Sequence, residues 1–191
     1  MVEHAQATLS KPGAPARPAV DLSEATVRAW SEVAREPNAL RAARLDHAAY
    51  LARQSLPDRV RHLWRYTDPA DLLPADPSPP AHPLARAGDA PPPPAGGANV
   101  VLAPGAQPAV ALSPEAAALG VRVRPLAEDP SGTLGSLVPA SHGLFEAWNA
   151  AAWSQGVSIE VPAHAVLPGP IHVQVVAGEG AGLPRLLVHA G

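Results

Sequence analysis

Residues 156–176 read GVSIEVPAHAVLPGPIHVQVV, and the fold turns on how this stretch is taken. Val157, Ile159 and Val161 alternate with Ser158 and Glu160. Ile171, Val173 and Val175 alternate with His172 and Gln174. A strand sends successive side chains to opposite faces, so each run offers one apolar and one polar face. Pro162 and Pro168-Gly169-Pro170 keep the runs apart, because proline cannot donate to a sheet ladder. A third apolar run, Leu186-Leu187-Val188, follows Gly178 to Pro184. Strands this short need further strands to cover their apolar sides.

Before this stretch, Leu144 to Trp153 reads as one helix, with Leu144, Trp148 and Ala151 or Ala152 inward and Gly156 as its stop. Residues 127–141 form a loop. Asn99 to Leu102, Val110 to Leu112 and Val121 to Val123 read as short strands, with a turn at Gly105 and a helical turn at Ser113-Pro114-Glu115. Residues 74–98, PADPSPPAHPLARAGDAPPPPAGGA, read as an extended polyproline-like linker. The run of prolines within it matches a ligand for an SH3-like partner, but such tracts are most often spacers.

Further upstream lies a helical unit, residues 21–73. Asp21 and Glu24 form a capping box for a helix running to Glu36, with Val27, Trp30, Val33 and Ala34 as its stripe. Pro37 ends it, and Asn38 caps a second helix over 39–54 that turns Leu40, Ala43, His47, Tyr50 and Leu51 to one face. An amphipathic turn, Asp58 to Leu63, leads into Trp64-Arg65-Tyr66-Thr67-Asp68. Residues 1–20 are rich in Pro, Ala and Gly and read as a disordered tail.

Composition narrows the function classes. The 191 residues hold one domain and a small second one at most. With 25 Pro, 15 Gly, a single Phe and 4% aromatics, the core must come from Leu, Val and Ala, which bury little area each. A net charge of −3 without a basic block argues against nucleic acid. The absence of Cys removes disulfides, thiolate ligands and a Cys nucleophile, and fits a reducing cytoplasm. The N-terminus lacks the apolar core of a signal peptide, and no apolar run approaches the roughly 20 residues that span a bilayer.

Several blocks together resemble the SufB/SufD family of scaffold components in iron–sulfur cluster assembly. Leu56-Pro57-Asp58-Arg59 followed by Trp64-Arg65-Tyr66-Thr67-Asp68 is similar to its LPTR…WRYTD signature. Phe145 to Ala150 is similar to its F-x-A-L-N helix, Gly156 to Ile171 to its DGVFIYVPKGVVLEEPI stretch, and Pro184 to Val188 to its PR-LVV strand. His62-Leu63, Trp148 and Ala163-His164 depart from the family pattern. The resemblance implies an α+β chain: the helical unit, the linker, and over 99–191 the first strands of a truncated right-handed parallel β-helix. It implies a SufD-like, N-terminal portion, with the family's cluster-transfer and ATPase-binding residues beyond Gly191. The partners implied for the full-length protein are SufB-like and SufC-like (ATPase) subunits. No cofactor is expected on this portion, and no membrane or nucleic-acid contact.

No residue is singled out as catalytic or metal-binding. Of the eight His, His164, His172 and His189 flank the strands, but metal sites need several converging ligands. Asp68 and Asp71 sit beside Pro69 and read as capping residues rather than a carboxylate pair. No phosphate-binding glycine motif is present. Trp64, Arg65 and Tyr66 stand as family-signature residues and candidate docking residues, since aromatics and Arg dominate interface hot spots. Against that, Trp64 and Tyr66 are expected to pin the helical unit to the sheet, with Arg65 paired to a carboxylate. The expected function is a non-catalytic scaffold subunit. The alternatives are a β-helix enzyme acting on carbohydrate, such as a polysaccharide lyase, a hexapeptide-repeat acyltransferase, or a Pro-rich adaptor. Neither paired carboxylates nor a six-residue repeat supports the enzyme readings.

Overall fold

The computed structural model describes residues 22–33, 35–57, 64–73, 90–103, 106–129, 131–176 and 183–191. The expected tail at 1–20, the Asp21 cap, the Val33 side chain, Ala34, Asp58 to Leu63, linker residues 74–89, Gly105 and the Gly178 turn lie outside the described residues. Helix α1 spans Glu24–Val33. Ser23 caps it by accepting a bond from the Thr26 amide at 3.2 Å.

The far end of α1 sets up the rest of the helical core. Arg35 adopts a left-handed conformation, φ 53°. Its amide bonds to the Glu32 carbonyl at 3.0 Å, and that of Glu36 reaches back to the Ser31 carbonyl at 2.9 Å. This is the Schellman arrangement that glycine usually supplies, and a residue with a Cβ adopts it at about 1–2 kcal/mol. The reversal turns Glu36 back toward α1, and Pro37 then opens helix α2, Asn38–Leu51. Asn38 is the first helical residue rather than the cap, and no side chain caps this end.

Helix α4 covers Leu144–Ala152, as the periodicity predicts. Its alanines let α2 approach closely. Leu22, Val27, Ala48, Trp148, Ala151 and Ala152 form one core, flanked by Trp30, Leu45, Leu51, Leu73, Phe145 and Leu183. Full burial of a side chain such as Val27 stabilises by about 1.5–3 kcal/mol. The N-terminal helices therefore share their core with a helix from the strand-bearing region.

The strands form two three-stranded sheets. In one, β1 (Ala98–Leu102) lies between β2 (Ala109–Leu112) and β5 (Ile171–Val175). In the other, β4 (Gln155–Val161) lies between β3 (Arg122–Pro125) and β6 (Pro184–Ala190). Helix α3, Pro114–Ala118, connects β2 to β3 and is capped by Ser113 Oγ on the Ala116 amide at 3.1 Å. Val100 and Leu102 pack with Val157 and Ile159 between the sheets.

The expected parallel β-helix is not formed. Each sheet is mixed: β1 runs antiparallel to β2 and parallel to β5, and β4 runs antiparallel to β3 and parallel to β6. Among the described residues neither sheet closes or repeats as a solenoid. In the first sheet the physical reason is the short return from β1 to β2, which only an antiparallel pair can use; in the second, β3 and β4 pair antiparallel although α4 lies between them in the chain. Strand periodicity located the strands but carried no information on their direction.

Two further expectations change. Gly156 does not stop α4, which ends at Ala152; it is buried within β4. A Cβ there would come within 2.8 Å of Leu126 Cδ2 and 2.9 Å of the Arg185 carbonyl, so close strand packing requires glycine. The end of the linker is also not a plain spacer. Gly97 packs its Cα against the Pro170 carbonyl, and Asn99 Nδ2 donates to the carbonyls of Pro92 at 2.6 Å and Pro91 at 3.3 Å.

Candidate docking surface

The Trp64-Arg65-Tyr66 signature divides by role. Trp64 stacks on Phe145 of α4, with centroids 5.4 Å apart and planes tilted by 34°. It anchors its segment to a helix, not to the sheet. Tyr66 does not pin anything: it is 88% exposed. The Arg65 guanidinium, also on an exposed residue, lies over the Tyr66 ring at 5.6 Å. The pair presents a cation on an aromatic face to solvent, next in the chain to the anchored Trp64. Asp68 caps the following turn through the Ala70 amide at 3.0 Å, in agreement with the capping reading.

The sheets contribute a second exposed surface, which alternation alone did not reveal. Among the described residues β5 pairs only with β1, and β6 only with β4, so each keeps one unpaired edge. Their apolar side chains are incompletely covered. Val157 and Ile159 are buried, yet their in-register neighbours Leu186 and Val188 are 48% and 51% exposed. Val175, beside buried Leu102, is likewise exposed. Unpaired backbone groups next to apolar side chains form a template for another strand.

The histidines do not converge. His164 is exposed in a left-handed turn, φ 65°. His172 lies in β5 on the face opposite Ile171 and Val173, lining a cavity of about 390 Å3 with Pro91, Asn99 and Gln174. His189 lies in the other sheet. Among the described residues no group of three or more His, Asp or Glu is placed to hold a metal ion.

His189 belongs instead to a polar network. Its Nε2 lies 3.3 Å from Thr133 Oγ1, Thr133 shares a bond of 2.9 Å with Ser131, and Ser131 donates to Asp129. Asp129 also accepts from Ser158 at 2.9 Å. Partial burial pushes the Asp129 carboxyl up, but the bonds from Ser131 and Ser158 and the charge of His189 outweigh this and hold it below its ordinary value. A hydroxyl beside an imidazole invites comparison with a nucleophile and base, yet Asp129 contacts hydroxyls, not the ring. The network ties Asp129, Ser131 and Thr133 to Ser158 of β4 and His189 of β6.

The residue that sequence reading missed altogether is Arg44. It is 2% exposed, on the α2 face that also carries Leu40, Ala43 and His47. Its Nη2 lies 2.6 Å from Glu36 Oε1, its Nη1 donates to the Ala151 carbonyl at 3.0 Å, and its guanidinium lies 4.3 Å from the centre of the Trp153 ring. Ser31 Oγ donates to Glu36 at 3.0 Å and accepts from Arg41 Nε at 3.2 Å. These bonds hold α1, α2 and α4 in one arrangement. The usable signal was a carboxylate held just before Pro37 with an Arg eight residues on.

Among the described residues no helix is long and apolar enough to cross a membrane. No family model, curated protein or solved structure matches the chain.

Proposed function

We propose that this chain is a non-catalytic scaffold subunit that docks partner subunits on its exposed strand edges and on Arg65-Tyr66. One observation carries the reading: among the described residues β5 and β6 keep unpaired edges while Val175, Leu186 and Val188 beside them stand about half exposed. A partner strand laid along such an edge gains main-chain hydrogen bonds and covers those side chains. The Arg65-Tyr66 pair adds residue types that concentrate binding energy at interfaces.

The process served is assigned from the sequence blocks alone. Their resemblance to SufB/SufD proteins points to iron–sulfur cluster assembly, with SufB-like and SufC-like ATPase subunits as partners. Neither the sheets nor any comparison adds support to that assignment. The cluster would be cargo of the assembled complex, not a cofactor of this chain.

The test is co-purification of the tagged chain with an untagged SufB-like subunit. Recovery at stoichiometric level, abolished by Leu186→Lys with Val188→Lys, is the expected result. Failure to recover the SufB-like subunit counts against the reading, as does recovery that the double substitution leaves unchanged.

A further inference from the structure

Trp153 carries the chain from α4 into β4, and the next two side chains turn into the protein. Ser154 and Gln155 are both more than nine-tenths buried. Among the described residues neither Ser154 Oγ nor Gln155 Oε1 has a hydrogen-bond partner. Both residues line a cavity of about 50 Å3, whose walls include Glu36, Gln107, Pro108 and Leu126. Native proteins seldom leave such atoms unpaired, because each loses its bonds to water on burial.

The size and polarity of the space define its occupant. A water needs roughly 10–15 Å3 and two to four polar partners, which this cavity offers. Ligand pockets run to about 300–1,000 Å3, so a metabolite does not fit. A cation is disfavoured because the one carboxylate in the wall, Glu36, is already paired with Arg44 at 2.6 Å. Gln155 Oε1 can only accept, whereas Ser154 Oγ can donate or accept, and a water satisfies both.

We propose that this cavity is a structural water site. One or two ordered waters donate to Gln155 Oε1, exchange bonds with Ser154 Oγ, and tie the start of β4 to the wall formed by Glu36 and Gln107. The hydrated and dry cavities give opposite signs on substitution. Removing an orphan hydroxyl from a dry cavity raises stability, whereas removing a ligand of a bound water lowers it.

The experiment is thermal unfolding of the full chain and its Ser154→Ala and Gln155→Met variants, with a high-resolution crystal structure of the unsubstituted chain. A hydrated site predicts that each variant melts roughly 2–4 °C lower. It also predicts solvent density within about 2.7–3.2 Å of both atoms. A melting point unchanged or raised in either variant overturns the proposal. If a variant fails to fold, the crystal structure alone decides, and density absent from the cavity overturns it.

Discussion

Arg44 Nη2 lies 2.6 Å from Glu36 Oε1, with both side chains almost wholly buried. Removing one partner leaves the other charged and buried without compensation. Arg44→Ala is therefore expected to cost about 3–5 kcal/mol in urea unfolding. Arg44→Met combined with Glu36→Gln is expected to recover most of that loss. No charge then remains buried, and the amide oxygen that replaces the Glu36 carboxylate still accepts from Ser31. A double variant no more stable than Arg44→Ala would show that the ion pair itself, not its desolvation balance, holds the helices.

His47 gives the helical core a pH dependence. Burial drives its imidazole below the ordinary value, the charges of Arg185 and Arg44 act in the same direction, and the Ala150 backbone bond and Asp46 oppose them. Its Nδ1 is buried and has no hydrogen-bond partner among the described residues. The unfolded chain thus binds the proton more readily than the folded one. The stabilisation is complete above the ordinary value of 6.5 and is lost as pH falls from there through the folded value. Unfolding free energy measured between neutral pH and mildly acid pH should decline, and His47→Gln should flatten that part of the profile.

Gly156→Ala places a methyl group against Leu126 and the Arg185 carbonyl. The carbonyl belongs to the β6 backbone and cannot move aside cheaply. A loss of about 1–3 kcal/mol is expected from this overpacking, measured by denaturant titration. A neutral result would place β6 farther from β4 than the register describes.

These cases show what the sequence could and could not convey. Alternation at Val157-Ser158-Ile159 and Ile171-His172-Val173 located β4 and β5, because apolar side chains gathered on one face leave a period of two in residue type, although Ser158 on the other face of β4 is buried as well. It left strand direction open, since the pattern reads alike in parallel and antiparallel pairs, and the solenoid borrowed from the family resemblance filled that gap wrongly. Arg44 stayed hidden because its burial depends on Glu36, Trp153 and the Ala151 carbonyl meeting it from three other segments. Trp64 was readable as an anchor, whereas Tyr66, two residues on, was not readable as exposed: aromatic character alone does not separate core from surface.

That contrast is testable within the signature. Trp64→Ala removes the ring packed on Phe145 and is expected to lower stability by roughly 0.5–3 kcal/mol. Tyr66→Ala should stay within about 0.5 kcal/mol of the parent, because the ring is almost fully exposed. The order should reverse for partner binding, where Tyr66→Ala is expected to weaken a SufB-like complex by about thirtyfold, the loss that marks a hot spot. Calorimetry on both variants reads stability and affinity in the same samples.

The most direct test of the docking account is the affinity of the folded chain for a SufB-like subunit, measured by titration calorimetry with and without Leu186→Lys and Val188→Lys. Both substitutions fall on half-exposed positions of β6, so circular dichroism and melting should change little. The account predicts saturable binding by the parent chain and a loss of at least about a hundredfold in the double variant, as expected when charge is placed on a hot-spot face. Equal affinity in the two, or no binding by the parent, would contradict it.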